Sequence, residues 1–186
     1  MAASAPPAEI RVVTPWTLAQ TMWRAANLRS PVDLPFAHRQ RVRFGETDLQ
    51  GVVYYANYLV FAEVGRMAYL RALGVAYERD LIAKGLDFTI GEARVRYRAP
   101  LKFDDEYDIK MGVAEIRHSS WTFEYAIDRA DGLHCAEAST IQVMIDRTTR
   151  RPTRIPEGLR RLLLGGVRGQ GKGPLASDAR PPREER

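Results

Sequence analysis

Asp48 is the side chain in this sequence best placed to do chemistry. It stands in the segment TDLQGVVYYANY, between a strand-like run and a Gly-containing turn, nine residues ahead of Asn57, where a helical pattern opens. A helix N-terminus presents unpaired N–H groups and a partial positive charge. Those amides, with those of the turn, can polarise a carbonyl oxygen and hold the oxyanion that develops on it. A carboxylate beside them can attack the carbonyl carbon or activate a water. The chemistry would be hydrolytic. An aspartate ahead of a turn serves equally well as a turn cap, and residue types alone leave both roles open.

The elements that must position this loop can be read on either side of it. HRQRVRFGE has strand composition, and the Thr47-Asp48 pair ends it. NYLVFAEVGRMAYLRALG is the clearest helix in the chain, with Asn57 as N-cap, Gly74 as C′ stop and Arg71 complementing the dipole in the last turn. Phe61, Gly65, Ala68, Tyr69 and Ala72 fall on one stripe. An interior glycine costs about 1 kcal/mol against alanine, so Gly65 predicts close packing against a sheet. After a connection containing KGLD, Ala93, Val95 and Tyr97 alternate with Arg94, Arg96 and Arg98, and EYDIKMGVAEIR alternates imperfectly. Trp121, Phe123, Tyr125 and Ile127 alternate cleanly. An Asp-Gly turn leads into AEASTIQVMID, with Ile141, Val143 and Ile145 on one face. Strand, long helix and four strands in hairpin succession predict an antiparallel α+β fold around one buried helix.

The run TDLQGVVYYANYLVFAEVGRMAYLRALG resembles the signature of the hotdog-fold acyl-CoA thioesterases of the 4-hydroxybenzoyl-CoA thioesterase family: Asp, two variable residues, Gly, a short apolar stretch, an aromatic or His, then Asn/Ser-Tyr opening the central helix. The resemblance covers roughly residues 37–155 and implies a hotdog fold, an antiparallel sheet wrapped around one long central helix. It implies hydrolysis of an acyl-CoA, or of an acyl carrier protein thioester, to a carboxylic acid and a free thiol. The family's catalytic carboxylate falls on Asp48, Gly51 shapes the turn, and the Tyr55 N–H polarises the thioester carbonyl. Many relatives carry His where Tyr55 stands. A tyrosine, with an unperturbed pKa near 10, is no general base at neutral pH, so Asp48 acts alone, as nucleophile or as base for water.

Glu63, on the central helix, is a second-rank site residue, and Arg66 at i+3 is within pairing range. Arg117 aligns with a basic position that the hydroxybenzoyl-type enzymes use for the nucleotide, and Ser120 accompanies it as a CoA-contacting residue. His118 and Ser119 replace the neighbouring basic residues of those enzymes. Arg94, Arg96 and Arg98 either add to this surface or pair with Glu124 or Asp128 on a solvated face. CoA is part of the substrate, and neither metal nor redox cofactor is implied. A single hotdog leaves an edge open, so a homodimer, often paired into a homotetramer, is implied. The rival readings are a hotdog dehydratase or hydratase, which needs a His that this loop lacks, and a non-catalytic acyl-binding or assembly protein.

Composition narrows the field further. Residues 147–186 carry 11 basic and 4 acidic side chains, against 17 and 19 in residues 1–146, so the excess positive charge belongs to the tail and gives little support to nucleic-acid binding. The expected organisation is an extension with a short helix over 1–36, the thioesterase domain over 37–155, and a basic, disordered tail over 156–186 that opens with a short helix in IPEGLRRLLLG. No run approaches the roughly 20 apolar residues of a membrane span, and MAASAPPAEIRVV lacks the features of a secretory signal, so a cytoplasmic location is expected. GVRGQGKG mimics a phosphate-binding loop but has Gly173 where Ser or Thr belongs. His38, His118 and His134 lack metal-ligand spacing, and Cys135 reads as a small buried hydrophobe.

Overall fold

A computed structural model describes residues 34–166. The helix expected over residues 14–30 and the tail beyond Gly166 lie outside the described residues. The strands are β1 Phe36–Arg41, β2 Leu86–Tyr97, β3 Glu106–Ile116, β4 Ser120–Arg129 and β5 His134–Asp146; the helices are α1 Asn57–Ala72, the short α2 Tyr77–Asp80 and α3 Glu157–Gly165. They form a five-stranded sheet in the order β1-β3-β4-β5-β2, with every pairing antiparallel. The sheet wraps around α1. This is the antiparallel α+β fold that the order of the elements predicts, in the hotdog form that the resemblance implies.

The inner face of β4 is the one its alternation forecasts: Trp121, Phe123, Tyr125 and Ile127 are all buried, and Phe123 meets the Tyr69 ring of α1 edge-on at 5.5 Å. On β5, Ile141, Val143 and Ile145 do share a face, but it points away from α1. The register pairs Trp121 with Gln142, Phe123 with Thr140 and Tyr125 with Ala138, so small and polar residues lie opposite the large rings of β4. Thr140 and Gln142 are consequently buried in the core. The Tyr125 hydroxyl and Thr140 Oγ1 hydrogen-bond at 3.0 Å, and in its best-bonded orientation the Gln142 amide accepts from Thr140 Oγ1 and donates to the Trp121 and Thr140 carbonyls.

Gly65 does what its cost implies. A Cβ built there would lie 2.6 Å from Ile109 Cγ2, so the close approach of α1 is to a side chain of β3. At the far end of α1, Gly74 takes φ +79° and donates to the Arg71 carbonyl while Val75 donates to Leu70, a Schellman stop as expected.

Three local expectations change. β1 ends at Arg41, and Phe44–Glu46 closes into a 3₁₀ turn held by the Glu46 carboxylate, which accepts from the Arg43 N–H at 2.8 Å. β2 starts at Leu86, within the stretch taken as a connection, because an extra residue at Gly91 bulges the strand and breaks its alternation. Asn57 is the first helical residue and not the cap: Ala56 takes the cap position, and the Asn57 side chain is used elsewhere. The helix expected in IPEGLRRLLLG is α3, which buries Leu159 and Leu163.

Candidate active site

The loop carrying Asp48 is a tight antiparallel turn. The Asp48 N–H donates to the Val52 carbonyl at 3.0 Å, the Gly51 N–H returns to the Asp48 carbonyl at 2.9 Å, and Thr47 bridges Val53. Gly51 lies at φ +74°, a conformation that L side chains rarely adopt, which explains glycine there. Asp48 Oδ1 accepts from the Gln50 N–H at 2.8 Å, so the aspartate does cap its turn. Among the described residues its Oδ2 accepts no hydrogen bond. One carboxylate oxygen is anchored and the other is available, on a half-buried side chain.

Four hydrogen bonds fix this turn and the start of α1. The Glu46 carbonyl accepts from the Tyr54 N–H at 2.9 Å and from Asn57 Nδ2 at 2.8 Å. Val53 donates to the Leu101 carbonyl at 2.8 Å. The Tyr97 hydroxyl, on β2, donates to the Tyr55 carbonyl at 3.0 Å, and its ring packs edge-on against buried Tyr58 at 5.2 Å. The Tyr55 N–H itself donates to no acceptor among the described residues. A rigid turn therefore carries a free carboxylate oxygen and a free amide, beside the positive end of a helix. Such a constellation can stabilise an oxyanion and direct water at a carbonyl carbon.

Glu63 lies exposed on α1 and forms no ion pair with Arg66. Arg66 instead turns inward: it is only 9% exposed, and its guanidinium carbon stands 5.5 Å from the centroid of the Phe88 ring. Both residues line an open pocket of about 430 Å³ with Met67, Tyr77, Phe88 and Ile90. The spacing of Glu63 and Arg66 permits a surface pair, but burial of the Arg66 face of α1 against the bulged half of β2 draws the guanidinium away.

Arg117 and Ser120 sit together in the β3–β4 turn, where the Arg117 N–H donates to the Ser120 carbonyl at 2.8 Å. They are not brought to Asp48. The Asp48 turn adjoins the segment that enters β3, whereas Arg117 follows the last residue of that 11-residue strand, whose length along the chain is roughly 35 Å at about 3.3 Å per residue. Arg117 bonds Glu115 at 2.9 Å. Arg94 and Arg96 of β2, and Arg98 just beyond its end, pair with other acids than those expected: Arg94 with Glu92 at 2.6 Å, and Arg96 and Arg98 with Glu137 at 3.9 and 3.2 Å. The reason is topological, since β2 pairs with β5 and not with β4. His134 joins Asp128 at 2.6 Å and Glu137 at 3.3 Å. Cys135 is buried, and burial pushes its thiol up to about 11.

Nothing in the sequence marks Tyr97 or the inward turn of Arg66. Tyr97 is one aromatic in an alternating strand, and its partner lies 42 residues away.

A family model described as the Thioesterase-like superfamily matches residues 42–163. The chain belongs to that superfamily. It is 30% identical over 119 residues to the acyl-CoA thioester hydrolase YbgC of Escherichia coli, covering 64% of this chain and 88% of the relative. To the 1,4-dihydroxy-2-naphthoyl-CoA hydrolase of Thermosynechococcus vestitus it is 29% identical over 122 residues, 66% of this chain and 84% of the relative. Among solved structures, a hypothetical protein from Aquifex aeolicus superimposes with a TM-score of 0.65 at 31% identity, over 69% of this chain and 99% of its own. The family match thus spans the Asp48 turn, α1 and strands β2 to β5.

Proposed function

We propose that this thioesterase-like chain hydrolyses an acyl-CoA thioester to a carboxylic acid and free CoA, with Asp48 as the catalytic carboxylate. The observation that carries this reading is the turn: Asp48 Oδ2 and the Tyr55 N–H are both unengaged among the described residues, on a loop otherwise closed by hydrogen bonds. The thioester carbonyl oxygen accepts from the Tyr55 N–H at the positive end of α1. Asp48 takes a proton from the attacking water, or itself attacks the carbonyl carbon to give an anhydride that water then opens. The CoA thiolate leaves and is protonated. The named activities of the YbgC and dihydroxynaphthoyl-CoA relatives support a CoA thioester as substrate. Glu63, exposed on α1, is held as a secondary site residue.

The test is Asp48→Asn. General-base catalysis contributes about 10²- to 10⁴-fold, so thiol release should fall by at least about a hundredfold, with thermal stability and acyl-CoA affinity retained. Turnover at the wild-type rate would overturn the mechanism; loss of affinity with unchanged turnover of bound substrate would assign Asp48 to binding alone.

Arg117 and Ser120 can contact the same CoA only from a second copy of the chain, given their place at the other end of β3. The open edge of β2 offers that copy a docking strand. In this arrangement Arg117→Ala raises KM for acyl-CoA severalfold with kcat unchanged, and the protein elutes at no less than twice the chain mass. A monomeric, fully active protein would sink it.

A further inference from the structure

The pocket beside α1 holds a cation that no acid pairs with among the described residues. Arg66 is nine-tenths buried, forms no ion pair among the described residues, and its Nε–H has no hydrogen-bond partner. Arginine stays protonated at any physiological pH, and an uncompensated buried charge is destabilising. The Phe88 ring, 5.5 Å from the guanidinium carbon, offsets part of that cost. The Tyr125 hydroxyl hydrogen-bonds the guanidinium, but burial pushes it up to about 12, so it stays neutral and supplies no counter-charge. Glu63, also lining the pocket, is exposed and forms no ion pair with Arg66.

The pocket is also in line with the candidate site. Leu59, Glu63 and Met67, at i, i+4 and i+8, form one stripe of α1 leading from its N-terminal turn to the pocket. At 1.5 Å rise per residue, the Arg66 Cα is roughly 14 Å beyond Asn57 along the axis, and its side chain leans back toward the helix N-terminus, leaving a span of roughly 10 Å, the reach of an extended acyl chain of about eight to ten carbons. Exposed Leu59 provides apolar surface on the way. Tyr77 and Phe88, edge-on to each other at 5.7 Å, form an aromatic wall.

We propose that this pocket receives the far end of the acyl group, and that this end carries a hydrogen-bond-accepting oxygen, carboxylate or hydroxyl, which binds Arg66. The inference rests on the acyl-CoA hydrolase reading and adds the substrate class. An unsubstituted alkyl end leaves the buried donor unsatisfied. An oxygen at that point satisfies it, and a carboxylate also neutralises the charge.

Thiol release is measured with decanoyl-CoA, 10-hydroxydecanoyl-CoA and decanedioyl-CoA, on wild-type protein and on Arg66→Met and Arg66→Lys. Wild type is expected to favour the oxygenated substrates by roughly tenfold or more in kcat/KM, through KM. A larger gain for decanedioyl-CoA identifies a carboxylate, and equal gains a hydroxyl-type acceptor. Arg66→Met should abolish the preference while leaving decanoyl-CoA within about threefold. Its folding is checked by Tm, which should hold or rise, because a methionine there removes an unpaired buried charge. Arg66→Lys should keep part of any carboxylate preference. Equal use of all three acyl-CoAs by wild type overturns the inference and leaves the hydrolase reading standing, as does a uniform loss in Arg66→Met. If no substrate releases thiol, the hydrolase reading fails. Calorimetric titration of Asp48→Asn with the same three compounds then decides the pocket separately, equal affinities overturning it.

Discussion

At the scale of single residues, the site depends on how the peptide after Tyr55 is held. The Tyr97 hydroxyl is the one side-chain donor among the described residues that reaches the Tyr55 carbonyl, and Tyr97 acts from a different element 42 residues away. A phenylalanine keeps the ring contact with Tyr58 and removes only the hydrogen bond. Such a bond has a net worth of about 1 kcal/mol, so Tyr97→Phe should cost little stability. If its task is to position the loop, kcat for acyl-CoA falls severalfold with KM nearly unchanged; an unaltered kcat would show that the loop holds its geometry without it. The sequence reading finds Asp48 and Gly51 because their chemistry is local: a carboxylate, a positive-φ glycine and a helix start within ten residues. It does not find Tyr97 or the inward Arg66, whose partners lie on β2 and become neighbours only once the strand has bulged and docked against α1.

At the scale of elements, Gly65 joins helix to sheet. Replacing it with alanine has two opposed effects. Alanine favours the helix by about 1 kcal/mol. Its Cβ, however, would sit 2.6 Å from Ile109 Cγ2 and 3.6 Å from the Met111 sulfur. Ile109 and Met111 are both fully buried, so neither has open space to retreat into. Overpacking of this kind costs typically about 1–3 kcal/mol, and with so short a contact the steric cost should win. Gly65→Ala is therefore expected to lower stability in denaturant titration. Combined with Ile109→Ala, it should cost less than the sum of the two single changes, since the second removes the obstacle. Strict additivity would mean that α1 simply shifts outward. Here the sequence carries the signal plainly, because a glycine inside an otherwise strong helix calls for a reason. It does not say that the neighbour is a β3 side chain, nor that β5 turns its isoleucines outward. That choice is made by the bulky inner face of β4, which leaves room opposite it only for Ala138, Thr140 and their like.

At the scale of the whole molecule, the order of elements is legible because each strand and the helix carry their own period, while the partners across the sheet are not. The basic residues of β2 are a case in point: their acids come from β5 and from β2 itself, which is known only once β2 is placed at the sheet edge. The same placement builds a charged belt across the outer face, from Lys110 on β3 through Asp128 on β4 to His134 and Glu137 on β5 and Arg98 just past the end of β2. The belt should make stability depend on pH in a definite direction. The hydrogen bond that His134 donates to Asp128 raises the His134 pKa above its ordinary 6.5, against the opposing effect of burial, and Glu137 adds to the rise. Burial pushes the Asp128 carboxyl up, but His134 and Lys110 outweigh it and hold the group below its ordinary value. For the histidine, the folded state binds the proton more tightly than the unfolded chain. Its contribution is therefore full below pH 6.5 and disappears as pH rises through the raised folded value. For the aspartate the sense is reversed: its contribution is present above pH 3.8 and is lost as pH falls through the depressed value. His134 is 40% exposed, so the increment is modest and screened by salt. The Tm advantage of wild type over His134→Gln should accordingly be largest near pH 6, narrow steadily toward pH 9, and shrink in high salt. A constant gap across that range would mean that the imidazole contributes packing and hydrogen bonding but no charge, and that the belt is held together by its lysine and arginines alone.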